Sequence, residues 1–324
     1  MNFSVTILGA NSAKFAHGRH QTSQVINHNE NLYLIDCGEG TQLQLMRYRI
    51  KLSRINHIFI SHLHGDHFLG LVGIILTQHL NGRTQELVIH GPAGLDEIIS
   101  TQLRLSETHL KYVLRFVPVV PGPSHIIYEN EHLQVSTIPL SHRIACNGFL
   151  FEEKPAKRRL VPSAKDTYGL QNNQISIVRS GMHIVSDSGQ VLIDYRDVTL
   201  PAPVPRLYAY CSDTIFSLDP VPLIKGADLL YHEATFLQDL ADRAQATFHS
   251  TAGQAATVAK AAQVKSLLIG HFSSRYKDLT PFLAEAQEIF KDTRLAEEGV
   301  TFEIPYVDTQ DAPILEKVVL PELA

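Results

Sequence analysis

A short apolar run, Ile58-Phe59-Ile60-Ser61, ends in His62-Leu63-His64-Gly65-Asp66-His67. No other segment restricts the fold as much. The run has the length and composition of a buried strand. The three imidazoles and one carboxylate that follow it repel one another and are costly to desolvate unless a cation binds them. Neutral imidazole nitrogen and carboxylate oxygen are the ligands that zinc prefers. In an extended segment His62 and His64 point the same way. Asp66 and His67 follow where the chain turns into a helix, and they face a second ion a few ångströms away.

Further candidate ligands share this context. Leu133–Ser141 is strand-like and ends at His142, Leu207–Ser212 ends at Asp213, and Leu267–Gly270 ends at His271. Each time a metal-capable side chain follows a buried-looking strand, and such loops are where α/β folds place their sites. The set divides naturally. His62, His64 and His142 are expected to hold one zinc and Asp66, His67 and His271 the other, with Asp213 bridging. Two such metals leave room for a shared water and lower its pKa for displacement at phosphorus. His232-Glu233-Ala234-Thr235 ends another strand, and His249-Ser250-Thr251 opens an Ala-rich helix. A glutamate that orients a histidine is a usual general-acid arrangement, so Glu233 and His249 are catalytic candidates.

The 324 residues suffice for one large domain or two modest ones with ample core. Cys37, Cys146 and Cys211 are too scattered for a disulfide framework. The start, Met1-Asn2-Phe3-Ser4-Val5, has no basic leader, and no apolar run approaches membrane-spanning length. A cytoplasmic protein without membrane contact is expected. The net charge of −5 argues against wholesale coating of nucleic acid but leaves a local basic patch at Lys154, Lys157, Arg158 and Arg159.

Strand-like runs cover Val5–Leu8, Leu32–Ile35, Ile58–Ser61, Leu87–His90, Leu133–Leu140, Gly148–Phe151, Leu207–Cys211, Leu229–His232, Ser266–Gly270 and Phe302–Val307. Helical patterns cover Gly70–Leu80, Ala93–Leu103, Thr251–Gln263 and Pro281–Lys291. Early strands follow one another, and later ones alternate with helices. This predicts an α/β fold of two packed sheets with helices outside. Glu152–Pro205 breaks the pattern. It is polar and basic at first, with short strands expected at Ile175–Val178 and Val191–Ile193 and a proline-rich return at Pro201–Pro205. Its length predicts an inserted, protruding element rather than a loop.

The His62–His67 motif, with His142, Asp213 and His271, resembles the metallo-β-lactamase superfamily. Leu34-Ile35-Asp36-Cys37-Gly38-Glu39-Gly40-Thr41-Gln42, His232–Phe236, His249–Ala252 and His271-Phe272-Ser273-Ser274-Arg275-Tyr276 narrow the resemblance to its ribonuclease Z branch, over Val5 to about Val307. The resemblance implies a four-layer αβ/βα sandwich over residues 1–307, usually as a homodimer, with two zinc ions per chain. It also implies a precursor tRNA substrate whose 3′ trailer is removed by metal-activated water, leaving a 3′-hydroxyl. By the same resemblance Asp66 also accepts a proton. His249, supported by Glu233, donates one to the departing 3′ oxygen, and Ser273 and Arg275 lie near substrate phosphate. The insert at 152–205, with Lys154, Lys157, Arg158 and Arg159, corresponds to an arm that grips tRNA, and 308–324 is a C-terminal tail. The arm tip departs from the family's Gly-Pro-rich form and reads Gly169-Leu170-Gln171-Asn172-Asn173-Gln174.

The alternative is a hydrolase of small phosphodiesters or sulfate esters on the same fold. A small-substrate enzyme has no need of a basic protrusion. A non-catalytic RNA-binding relative is disfavoured because nothing would keep its ligand set complete.

Overall fold

Alternating side chains divide the early strands between two cores. In the computed structural model, which describes residues 2–306 and the backbone of 317–319, Tyr33 and Ile35 face one buried cluster while Leu32 and Leu34 face another. This period of two is that of a strand covered on both sides. The chain lays down β1 (Phe3–Gly9), β2 (Ser23–His28), β3 (Asn31–Ile35), β4 (Ile55–Phe59), β5 (Leu87–Gly91) and β6 (Leu114–Pro118). It then forms β7 (Ile126–Glu129), β8 (Leu133–Leu140) and β9 (Cys146–Glu153). An inserted unit carries β10 (Arg159–Leu160), β11 (Ile184–Val185), β12 (Val191–Ile193) and β13 (Thr199–Leu200). Next come β14 (Leu207–Cys211), β15 (Leu229–Glu233), β16 (Leu267–Gly270), β17 (Thr293–Leu295), β18 (Val300–Glu303) and β19 (Lys317–Val319).

The first sheet has the order β19-β18-β1-β2-β3-β4-β5-β6, and the second the order β17-β16-β15-β14-β9-β8-β7. Phe3, Val5, Ile7 and Phe59 of the first meet Phe149, Phe151, Tyr208 and Tyr210 of the second in the core between the sheets. Helices Leu71–Leu80 and Leu95–Leu105 cover the outer face of the first sheet through Ile74, Ile75 and Ile99. Helix Ala252–Ala262 covers the second through Ala255, Ala256, Val258 and Ala259. Alanine on the buried face lets that helix approach the sheet closely. The result is the α/β four-layer sandwich of a metallo-β-lactamase fold.

The sequence reading missed β2, β6, β7, β17 and helix Thr41–Arg47. The strand expected at Ile175–Val178 is corrected: these residues lie in helix Asn172–Arg179. The Gln174 side chain caps that helix by accepting from Gln171 N at 2.9 Å, and Val178 is fully buried in the insert. Capping and burial here override the β preference of Ile and Val. The strand expected at Phe302–Val307 is Val300–Glu303, and Val307 lies outside the described residues, as does all of the tail at 308–324 except the strand Lys317–Val319.

The insert has a small core of its own, formed by Ala164, Leu170, Val178, Ile184 and Val198. Its two stems are clamped. Glu153 ends β9 and Arg206 precedes β14, and both are buried. Arg206 Nε and Nη2 donate to the two Glu153 oxygens at 2.9 and 2.8 Å. His28 Nε2 lies 2.9 Å from the same carboxylate, and the guanidinium stacks 3.7 Å from the centre of the Tyr306 ring.

Candidate metal centre

Parallel pairing brings the site together. β14, β15 and β16 run parallel, so Asp213, Glu233 and His271 emerge at one edge of the second sheet. β8 reaches the same edge through two antiparallel steps, across β9, and delivers His142. Across the core, β4 ends there with Ser61–His67. Helix Gly65–Phe68 starts at once and turns Asp66 and His67 back over the strand end. Gly38 and Gly70 permit this fold-back, because a Cβ at Gly38 would meet Asp66 O at 2.5 Å and one at Gly70 would meet Gly38 O at 2.3 Å. Asp36 and His271 hold positive φ, 50° and 61°, a conformation that costs a non-glycine residue energy and that clusters at functional sites.

All seven expected ligands converge. His62, His64, His142 and Asp213 form one group that could hold a cation, and Asp66, His67 and His271 form another. In the first group His62 Nε2 lies 3.0 Å from His64 Nδ1, His142 Nε2 lies 3.2 Å from it, and Asp213 Oδ2 lies 3.6 Å from His62 Nε2. In the second group His67 Nε2 and His271 Nε2 lie 3.6 and 3.5 Å from Asp66 Oδ2, and 3.4 and 3.2 Å from Asp213 Oδ1. Ligand atoms at tetrahedral zinc are about 3.3 Å apart. Asp213 therefore turns one oxygen to each group. His67 Nε2, His271 Nε2 and Asp213 Oδ1 are buried and have no hydrogen-bond partner. Orphaned buried atoms are costly, and a cation among these three removes that cost.

The outer ring nitrogens of His62, His67, His142 and His271 are tied back. His67 Nδ1 donates to Asp36 Oδ2 at 2.8 Å, His142 Nδ1 to Phe248 O at 2.8 Å, and His271 Nδ1 to Thr235 Oγ1 at 2.9 Å. His62 Nδ1 lies 3.0 Å from Ser61 Oγ. Such bonds fix the tautomer that turns Nε2 inward. Asp36 is the hub, since it also accepts from Ser61 N at 2.8 Å and from Tyr210 O–H at 2.6 Å. Ala13 N donates to Asp66 Oδ2 at 2.6 Å. Asp36, Ser61 and Thr235 lie in segments singled out above, but nothing in the sequence gives them or Ala13 these supporting roles. The only signal for Asp36 was that it too follows an apolar strand.

Burial, helped by neighbouring imidazoles, lowers the pKa of His62, and burial also lowers those of His64 and His142. These rings are neutral near pH 7, the form that ligates. Burial opposes charge on His67 as well, but Asp213, Asp66 and Asp36 outweigh it and hold its pKa well above the usual histidine range. Asp66 stays below the usual carboxylate range despite burial, because His67 and His271 face it.

His249 stands beside the centre, its ring stacked on His271 with centroids 5.4 Å apart. Its Nδ1 lies 2.9 Å from Glu233 Oε1. Glu233 is fully buried and also accepts from Ser250 N, Thr235 N and Thr235 Oγ1 at 3.0, 2.9 and 2.8 Å. Burial works against a charged His249 ring, but the charge and hydrogen bond of Glu233 push its pKa up to about 9. The expected acid and its support are thus in contact. Thr251 caps the following helix by accepting from Gln254 N at 3.2 Å, which fixes where His249 sits.

Ser273 is buried two residues beyond His271, and the exposed Arg275 lies 6.0 Å from the ring of Phe236, which itself lies 6.2 Å from the His249 ring. The basic run is divided. Lys157 and Arg159 are exposed. Arg158 turns into the insert, donating to Thr199 Oγ1 at 2.7 Å and lying 4.8 Å over the Tyr195 ring. Lys154 pairs with Glu129 at 2.7 Å.

Comparison with known proteins places this geometry. The family model for anti-Pycsar protein Apyc1 matches residues 3–158, a span that holds His62–His67 and His142 but not Asp213, His249 or His271. A ribonuclease Z of Parabacteroides distasonis is 46% identical over 94% of this chain and 99% of its own. One from Cytophaga hutchinsonii is 48% identical over 93% of this chain and 96% of its own. Among solved structures, the short form of human tRNase Z is similar with a TM-score of 0.68 and 29% identity, covering 93% of this chain and 99% of that one.

Proposed function

The chain belongs to the ribonuclease Z family and is an endoribonuclease of tRNA 3′ processing, and from that premise we infer a chemistry that depends on two zinc ions. His62, His64 and His142 would hold one, Asp66, His67 and His271 the other, and Asp213 would serve both groups. The carrying observation is the pair of ligand groups that meet at Asp213, one of them with three orphaned buried atoms, His67 Nε2, His271 Nε2 and Asp213 Oδ1. Bound there, two such cations would supply Lewis acidity, lowering the pKa of a water and neutralising charge on the attacked phosphate. The chain's own residues do the rest. Asp66, a member of the second group, would accept the proton that the water loses. His249, held protonated by Glu233, gives a proton to the departing 3′ oxygen, so the tRNA leaves with a 3′-hydroxyl. Ser273 and Arg275 flank the phosphate.

The insert at 152–205 serves as the arm that holds precursor tRNA away from the cut, with Lys157 and Arg159 on its surface. A homodimer is supported by the apolar side chains Leu43, Met46 and Leu69, each more than half exposed on or beside helices Thr41–Arg47 and Gly65–Phe68. No helix among the described residues is long and apolar enough to cross a membrane, in keeping with work in the cytoplasm.

Metal titration tests the chemistry. Protein stripped by chelator regains precursor cleavage as zinc is added, with full activity at two ions per chain. Full activity at one ion per chain, or cleavage that persists in chelator, overturns the binuclear reading.

A further inference from the structure

Beside His249 is a cavity of about 170 Å³, lined by Ile215, Phe216, Gln245, His249 and Gln254. Nothing in the metal chemistry uses it. We propose that it receives the base of the last nucleotide retained on the tRNA, with Phe216 as the stacking face and Gln245 and Gln254 as the polar contacts. The inference rests on the ribonuclease reading and adds a specificity subsite to it.

Hydrolysis breaks the bond between phosphorus and a 3′ oxygen, and water supplies the group that takes the oxygen's place. That 3′ oxygen belongs to the nucleotide on the tRNA side of the cut. The general acid has to lie within hydrogen-bond reach of it, so this nucleotide is the one held against His249. Its base then lies a few ångströms further on, where the cavity opens.

The lining suits a base and not a phosphate. It holds no lysine or arginine. Phe216 is 37% exposed and lines this cavity beside His249. Its position is fixed, because Ile215 N donates to Ser141 O at 2.9 Å and Thr214 N to Glu233 Oε1 at 3.2 Å. Gln254 uses its Oε1 to accept from Thr251 N at 2.9 Å, which leaves its amide N–H groups for a ligand. Gln245 is exposed on helix Ala241–Thr247, four residues before His249. Past Phe216 and Gln254 the surface widens into a groove with Glu285 and Glu288 on its wall. Carboxylates repel a phosphate backbone, so the site takes a single base and the RNA strand leaves in another direction.

A two-by-two experiment tests this. Precursor tRNA is prepared intact and with the base missing at that one nucleotide, and each is cut by wild type and by Phe216→Ala. Stacking of a base on an aromatic ring is worth roughly tenfold in affinity or more. Removing either the base or the ring should therefore lower kcat/KM about tenfold, and removing both should cost little more than removing one. Phe216→Trp should restore the intact substrate. Equal cutting of intact and abasic precursor by wild type overturns the proposal and leaves the ribonuclease reading standing, as do losses that simply multiply. Failure of wild type to cut the intact precursor overturns both.

Discussion

His249 stands between opposing influences, burial that disfavours its charge and a buried Glu233 that favours it, and Glu233 prevails. An acid with a pKa of about 9 is protonated at neutral pH and loses its proton as pH rises through that value, so the high-pH limb of kcat reports it. A cation on Asp213 pulls the value down, which places the limb at or below about pH 9. His249→Ala should lower the chemical rate by roughly 10²–10⁴-fold and abolish the limb, with little change in tRNA binding. Single-turnover kinetics across pH check this. A variant that keeps the limb assigns the acid elsewhere. The seven candidate ligands and His249 stand out in the sequence because each follows an apolar strand or opens a helix and carries ligand chemistry, and the fold brings them together. Asp36 and Thr235 were not, since an aspartate or threonine is ordinary until tertiary structure puts His67 or His271 within 2.8 or 2.9 Å of it.

The element most exposed to error was the insert. Its existence was legible from composition and length, but Ile175, Ile177 and Val178 suggested a strand, and a glutamine cap made them a helix. Ser23–His28 was overlooked for the opposite reason: Gln24 and His28 look like surface residues, yet both are buried, Gln24 accepting from Tyr208 and His28 facing Glu153. The clamp at the neck of the insert makes a stability prediction. Burial raises the Glu153 carboxyl pKa, but the bonds from Arg206 and His28 outweigh it and bring it down to about 2. A carboxyl depressed in the folded state stabilises the fold above its unfolded pKa of about 4.3, and that contribution fades as pH falls towards 2. Glu153→Gln leaves Arg206 buried and unpaired, so it should cost roughly 3–5 kcal/mol at about pH 7 and distinctly less at about pH 3. Urea unfolding at the two pH values checks this, and an equal loss at both contradicts it. On the surface of the insert, replacing Lys157 and Arg159 with Ala should weaken tRNA binding. The slope of log K against log salt should fall by roughly one for each phosphate that the variant no longer neutralises. Unchanged affinity and slope would remove the insert from the binding surface. Arg158 is a poor choice for that test, because its guanidinium is bonded within the insert.

At the scale of the molecule, two sheets present their strand ends to one another, and the centre lies in the seam. Apolar strand ends in the sequence carry the polar groups, and parallel pairing of β14, β15 and β16 sets three of them side by side. The sandwich was legible because strand-rich and helix-alternating halves follow one another in the chain. Short edge strands such as Leu114–Pro118 and Ile126–Glu129 were not, since they are only half-buried and lack a clean alternation. The central claim is that this seam hydrolyses one phosphodiester at the 3′ end of tRNA. Incubating the zinc-loaded protein with a precursor tRNA, then sequencing both fragments and identifying their end groups, tests it most directly. The account predicts a single cut at the 3′ end of the tRNA, a 3′-hydroxyl on the tRNA, a 5′-phosphate on the trailer, and no cut by Asp213→Ala. A cyclic phosphate at the new end, or the same cut by Asp213→Ala, would contradict it.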